Sequence, residues 1–359
     1  MKIIHLIMSF NIGGAEKLLI DILNNSDIDQ QRLCIVNDFY DTKLLEAVNI
    51  GKNNIKLINR PESSKNIIYI FRLLRYMCKE NPDIIHCHNI ASFKLATYIK
   101  KFIKKLNIIY TIHDTNIINK DKRLVNDINK YCKQVVCISK AVEDECIENS
   151  IHKSKISLVY NAIDIEKFNL SKYNHSTINI ICIARINIEK KGQDLLIKAV
   201  KNIAEKYNII VYFAGEEEMQ QKEELNYLKK LCAQLNLNKR VKFLGNVDDI
   251  PELLRKMDIL VLPSRYEGFG LAIIEGMASK TKVIASNVDG PKNIITKESG
   301  YLFESDNYKD LEEKIEQCIN SNENKVNYAY EYAKKEYSIN RLCYEYKKIY
   351  TFEKSAKRN

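Results

Sequence analysis

Short apolar runs alternate with longer amphipathic segments along most of the chain. The runs predict strands at Lys2–Met8, Arg32–Val36, Ile84–His88, Ile108–His113 and Gln134–Ile138 in the first half. In the second half they predict strands at Ile178–Ala184, Ile209–Ala214, Val241–Phe243, Ile259–Leu262 and Lys282–Ala285. Helical spacing of apolar residues predicts helices between them, at Ala15–Leu23, Ile67–Lys79, Gln193–Tyr207, Glu217–Leu235 and Leu271–Ser279. Such alternation implies parallel sheets joined by crossover helices, an α/β fold. The pattern resets in the polar stretch Asn169–Thr177, the best linker candidate. The expected organisation is an N-terminal domain over 1–170, a second over 178–338, and a helical tail over 339–359. No strand follows the tail, so it should pack back on the N-terminal domain. Two doubly wound domains would face a cleft, with ligands bound at the carboxyl ends of the strands.

Composition narrows the classes. The 359 residues suit two domains, and the 45% hydrophobic content suits packed cores. A formal charge of +10 favours anionic partners such as nucleotides, phosphates, acidic glycans or a lipid surface. Nucleic acid is not expected, because zinc-finger, arginine-rich and RNA-binding aromatic patterns are lacking. The ten cysteines form no C-x-x-C pair and sit mostly in apolar runs, as in Val136-Cys137-Ile138. That usage suits reduced, buried thiols and a cytoplasmic protein. Met1–Phe10 contains His5, lacks a cleavage site and reads as a first strand rather than a signal peptide. No apolar run approaches the ~20 residues of a membrane helix.

The chemistry gathers at predicted strand ends. Glu267 and Glu275 flank the glycine turn Gly268-Phe269-Gly270 and the apolar start Leu271 to Ile274. A strand, a tight turn and a helix start would offer free amides and a positive dipole end to a phosphate. A capped helix with two solvated glutamates reads equally well from this stretch. Arg185 and Lys191 belong above one sheet edge, and two cations there suit a diphosphate. Pairing with Glu189 is the simpler alternative. Gly13 and Gly14 open the first helix, where a ligand could approach the backbone, or where the turn is only structural. His86 and His88 point to one face of their strand. A metal would need further ligands, and polar residues lining a cleft account for the pair more simply. His113 could bond a sugar or phosphate, or simply cap its strand. Ser92–Leu106 interleaves lysines with apolar residues, as on an anionic membrane or on a core helix with a basic outer face.

Together these segments resemble the retaining glycosyltransferases of family 4, whose architecture is GT-B. The resemblance runs through Gly13-Gly14-Ala15-Glu16, His86-Cys87-His88, Thr111-Ile112-His113, Ile138-Ser139-Lys140 and Tyr160-Asn161-Ala162-Ile163-Asp164 with Phe168. It continues through Ala184-Arg185 to Lys191-Gly192, Phe243-Leu244-Gly245, and an E-x7-E motif formed by Glu267 and Glu275. It implies that Glu275 binds the nucleotide ribose, Glu267 the donor sugar, and the amides near Phe269 and Gly270 the sugar or phosphate. It further implies that Arg185 and Lys191 neutralise the leaving diphosphate, that Gly13 and Gly14 approach it from the other domain, and that His113 binds the sugar. Ser264 and Leu271 would border the nucleotide. Two departures stand out: Ala184 replaces a usual glycine, and residues 214–218 keep Gly215 without a second glycine.

The activity implied is transfer from a nucleotide-sugar, UDP-sugar first among donors, to a glycan or lipid-linked acceptor in bacterial surface polysaccharide synthesis. No cofactor or metal is implied; the only D-x-D, Asp27-Ile28-Asp29, lies away from strand carboxyl ends. The alternatives are a GT-B-like nucleotide-sugar epimerase and a non-catalytic glycan- or membrane-binding relative.

Overall fold

The computed structural model describes residues 1–11, 13–62, 64–115, 117–118, 121–217 and 223–352. Two compact units divide the chain, Met1–Asn161 with Ile339–Asn359, and Ala162–Ser338.

The first unit is a parallel sheet of seven strands in the order β3-β2-β1-β4-β5-β6-β7. The strands are β1 (Ile3–Ile7), β2 (Gln31–Asn37), β3 (Ile55–Arg60), β4 (Ile84–Cys87), β5 (Asn107–Ile112), β6 (Cys132–Cys137) and β7 (Ile156–Leu158). Between them run α1 (Gly14–Asn25), α2 (Thr42–Glu46), α3 (Ile68–Glu80), α4 (Ile90–Lys100), α5 (Lys122–Tyr131) and α6 (Lys140–Glu148). Helices cover both faces, so central strands must be apolar on both sides. In β1 and β4 every residue is buried, including His5 and His86, which pair in register.

The second unit has six parallel strands in the order β10-β9-β8-β11-β12-β13. They are β8 (Ile178–Ile183), β9 (Ile209–Ala214), β10 (Val241–Gly245), β11 (Ile259–Leu262), β12 (Lys282–Ser286) and β13 (Tyr301–Phe303). Its helices are α7 (Ile165–Phe168), α8 (Ile188–Lys191), α9 (Gln193–Lys206), α10 (Glu224–Gln234) and α11 (Ile250–Leu254). They continue with α12 (Leu271–Ala278), α13 (Pro291–Ile294), α14 (Tyr308–Ile319) and α15 (Asn324–Glu336). The chain then returns to the first unit as α16 (Ile339–Thr351), which packs on α1.

Three strands escape the sequence pattern, β3, β7 and β13. All lie at sheet edges and are largely half-buried, so they lack the continuous apolar signature of a central strand. The helix expected over 217–235 begins only at Glu224. Glu217 instead bridges to Ile186, and its carboxylate accepts the Leu225 amide at 2.6 Å; residues 218–222 lie outside the described residues.

The units part between Asn161 and Ala162, ahead of the polar stretch at 169–177. Two contacts tie the intervening residues to the second unit. The Ile163 amide bonds the Tyr337 carbonyl at 3.0 Å, and Lys172 donates to the Leu254 and Met257 carbonyls at 2.9 and 2.7 Å. Polarity alone marks exposed backbone, not where packing changes sides.

Candidate donor-sugar site and histidine network

In the second unit, β8 and β11 are neighbours, and the loops leaving their carboxyl ends carry Arg185, Lys191 and Glu267. After β8 the chain makes one helical turn, α8, capped by the Asn187 side chain at the Lys190 amide, 2.9 Å. Gly192 ends it in the left-handed region, φ 62°. A side chain there is excluded twice over: a Cβ would stand 2.2 Å from the Pro263 carbonyl oxygen in the loop after β11. The same loop bonds back, since the Arg265 and Tyr266 amides donate to the Lys190 carbonyl at 2.8 and 3.1 Å. The Arg265 guanidinium adds a two-point bond to buried Asp194 at 3.0 and 3.2 Å and bonds the Ile188 carbonyl at 2.6 Å.

This lacing sets Lys191 against Glu267. Lys191 Nζ donates to Glu267 Oε2 at 2.8 Å, and Ser264 Oγ donates to the same oxygen at 3.4 Å; neither bond uses Oε1. Lys191 is therefore paired, and its partner is Glu267 rather than Glu189. Both side chains are mostly buried, at 25% and 16% exposure, so the pair is better shielded than a surface ion pair. Arg185 is exposed on its loop, whose carbonyl accepts the side chain of buried Gln193 at 2.8 Å. Gly215 explains its own residue type: with φ 139°, a Cβ would lie 2.1 Å from the Ala184 carbonyl oxygen.

Gly268 and Phe269 lead to Gly270, which caps α12 at φ 102°. Within α12, Ile273, Ile274 and Met277 face the core, while Leu271 and Glu275 share a half-buried face one turn apart. Gly276 holds the helix hard against the sheet, since a Cβ there would be 2.9 Å from Val283 Cγ1. Gly290, overlooked in the sequence, packs against the glutamate loop. Its φ is 75°, and a Cβ would stand 2.7 Å from both the Glu267 and Phe269 carbonyl oxygens. The Gly290-Pro291 step after β12 was the available signal.

In the first unit, Gly13 is extended, φ −164°, and precedes Gly14, the first residue of α1. The Glu16 carboxylate folds over Gly13, and partial burial raises its pKa. Strand ends β1, β4 and β5 assemble a histidine network. His5 Nε2 bonds Gln31 Oε1 at 3.0 Å, which makes it the protonated nitrogen; His5 Nδ1 then accepts from His88 Nε2 at 3.1 Å. His86 joins Tyr350 of α16 at 2.8 Å and Thr111 at 2.7 Å, and Thr111 meets Tyr346 at 3.2 Å. His5, His86 and His88 place ring nitrogens within 4.8 Å of one another, a spacing a metal could use. Both nitrogens of His5 and of His86 have protein partners, whereas His88 uses only Nε2. Burial lowers the His5 pKa to about 4 and pushes His86 and His88 well below the ordinary value.

Two atoms of this network are buried without a partner among the described residues, His88 Nδ1 and His113 Nε2. Their rings lie 5.8 Å apart. His113 is half-buried, and burial brings its pKa to about 4, so it is neutral near pH 7. Asp27, of the D-x-D, pairs with Lys347 at 2.5 Å. In 92–106, Phe93, Ala96, Ile99, Ile103 and Leu106 are buried in the sheet core, whereas Tyr98 and Phe102 stand exposed among the lysines.

Comparison with known proteins agrees with the two parallel-sheet units. Glycosyltransferase Family 4 matches residues 12–167, and Glycosyl transferases group 1 matches residues 164–336. Two uncharacterized glycosyltransferases of Methanocaldococcus jannaschii are similar. One is 31% identical over 74% of this chain and 71% of its own length. The other is 29% identical over 60% of each, so the match spans less than two thirds of that relative. The Escherichia coli UDP-Gal:alpha-D-GlcNAc-diphosphoundecaprenol alpha-1,3-galactosyltransferase is 24% identical over 91% of this chain and 89% of that protein. Anabaena HepE, solved with UDP and glucose, superposes with a TM-score of 0.84 at 21% identity, over 98% of this chain and 99% of that one. The fold is that of the GT-B glycosyltransferases. The chain belongs to glycosyltransferase family 4 and is a glycosyltransferase.

Proposed function

We propose that the protein transfers a sugar, with retention at the anomeric carbon, from a UDP-sugar to a glycan or lipid-linked saccharide of bacterial surface polysaccharide, at the cytoplasmic side of the membrane. The observation that carries this reading is the Lys191–Glu267 pair fixed between the starts of α9 and α12. Helix-start amides and a cation suit a diphosphate, and a carboxylate with one oxygen outside the pair suits a sugar hydroxyl. In this reading Glu275, one turn into α12, binds the ribose. The names and complexes of relatives support UDP as the nucleotide: UDP-galactose for the E. coli enzyme, UDP with glucose for HepE.

In the reaction, the bond between the anomeric carbon and the phosphate oxygen breaks, and negative charge grows on the diphosphate. Lys191, Arg185 and the amides stabilise that charge as it develops, which lowers the barrier rather than merely tightening binding. Because Glu267 shares Lys191, Arg185 and the helix-start amides take a large part of the load. The acceptor oxygen attacks from the face the diphosphate leaves, and the acceptor proton departs on the phosphate oxygen. His113, neutral and with Nε2 buried and unpartnered, is suited to a sugar hydroxyl. With cations supplied by the chain, no metal is required.

The test is thermal shift with UDP, GDP and ADP, with and without EDTA, followed by mass spectrometry and NMR of the glycosylated product. UDP should stabilise regardless of EDTA, and the product should keep the donor's anomeric configuration. No stabilisation by any nucleoside diphosphate would overturn the reading.

A further inference from the structure

The carboxyl ends of β1, β2 and β3 carry a polar cluster that the transferase reading leaves unused. Asn37 closes β2 and is buried, 7% exposed. Its Nδ2 donates at 3.1 Å to the hydroxyl of Ser9, two residues beyond β1. Its Oδ1 is buried with no hydrogen-bond partner among the described residues. Arg60 closes β3 and is half-buried, and its Nε is likewise buried and unpartnered. Among the described residues no ion pair involves Arg60. Of the acids in these loops, Asp41 caps α2 through the Leu44 amide at 2.9 Å, and Asp38 and Glu62 are exposed. Buried polar atoms left unpaired are costly, so two at one sheet edge point to a ligand that meets them.

The backbone turns Arg60 toward Asn37. Strands β2 and β3 pair regularly from Leu33 with Ile55 to Ile35 with Leu57, and then Asn37 pairs with Arg60 rather than Asn59. The extra residue makes a bulge, and Asn59 within it takes the left-handed region, φ 54°. In an unbroken ladder Arg60 would face the other side of the sheet; the bulge brings it to the side of Asn37. Phe39, 55% exposed, follows Asn37 by two residues. Its carbonyl accepts the Phe10 amide at 3.2 Å, and the Asp38 amide donates to the Arg60 carbonyl at 2.9 Å, so the three loops are laced together.

An unpaired guanidinium suits an oxyanion, an amide oxygen suits a hydroxyl, and an exposed ring suits an apolar face. Turning the Asn37 amide over with the Ser9 hydroxyl would free Nδ2 instead, and a ligand hydroxyl accepts from it equally. An acidic pyranose carries all three features on adjoining atoms. We propose that Ser9, Asn37, Phe39 and Arg60 form a subsite for an acidic sugar. Its carboxylate or phosphate meets Arg60, a neighbouring hydroxyl meets Asn37, and its ring lies on Phe39. The inference rests on the transferase reading only in making that sugar part of the acceptor.

The test is titration of the full chain, read by saturation-transfer NMR, with methyl glucuronide, glucose 6-phosphate, methyl glucoside and inorganic phosphate. An acidic sugar should bind about tenfold or more tighter than methyl glucoside, the worth of one charge-assisted hydrogen bond. The tighter of the two acidic sugars assigns the oxyanion. Arg60→Gln should erase the preference, and Phe39→Ala, at an exposed position, should weaken binding roughly fivefold with circular dichroism unchanged. The proposal falls if acidic and neutral sugars bind alike, or if inorganic phosphate binds as tightly as glucose 6-phosphate. It also falls if Arg60→Gln destabilises the fold while the preference stays, which would make the cluster structural only. UDP binding is measured in parallel: preference for an acidic sugar without UDP binding removes the transferase reading and keeps the subsite, and the converse removes the subsite alone.

Discussion

Acidification should unfold the first unit through its buried histidines. His5, His86 and His88 are 0%, 0% and 5% exposed, and burial keeps all three neutral in the folded chain. An unfolded histidine takes up a proton near pH 6.5, whereas folded His5 waits until about pH 4. Between those values the unfolded state binds more protons, so stability falls as pH falls. From pH 7.5 to 5.5 the loss is about 1.4 kcal/mol per histidine, about 4 kcal/mol for the three, and His113, whose pKa burial also lowers to about 4, adds a similar amount. That is a large share of the ~5–15 kcal/mol by which domains are stable. Urea unfolding at the two pH values, followed by circular dichroism, measures the total. Hydrogen exchange at β1 and β4 amides locates it. A loss below about 3 kcal/mol, the equivalent of two histidines, would refute the claim that His5, His86 and His88 are buried neutral together, since His113 alone supplies one.

Other outcomes follow from the same contacts. Gly192→Ala forces a left-handed backbone and a clash with Pro263, so it should cost roughly 1–3 kcal/mol and depress UDP binding by displacing Lys191; calorimetry reads both. Tyr350→Phe removes the hydroxyl partner of His86 and should cost about 1–2 kcal/mol, measured by denaturant unfolding. Lys191→Ala and Glu275→Ala should each abolish transfer with circular dichroism unchanged, and full activity in both would sink the site. EDTA should leave the transfer rate unaltered; loss restored by a divalent cation would show that Lys191 and Arg185 do not suffice.

Much of the architecture is written in local pattern. Continuous runs such as Ile259–Leu262 are buried on both sides, as a central parallel strand requires. The glycines at 192, 215 and 270 mark places where backbone meets backbone or φ is positive, and the sequence shows them as residue types. The edge strands β3, β7 and β13 escape the pattern because half-exposed positions interrupt the apolar run, while edge strand β10 is legible at Val241–Phe243. Partnership lay beyond the sequence altogether. Lys191 and Glu267 are separated by the whole of α9 through β11, and only parallel pairing of β8 with β11 brings their loops together. Gly290 looks like an ordinary turn until β12 sets it against Glu267 and Phe269. His86 and Tyr350 meet because the last helix returns to the first unit. Residue types and spacings determined which chemistry this chain could hold; long-range sheet order decided which of those groups touch, because contact depends on strand neighbours that sequence separation does not encode.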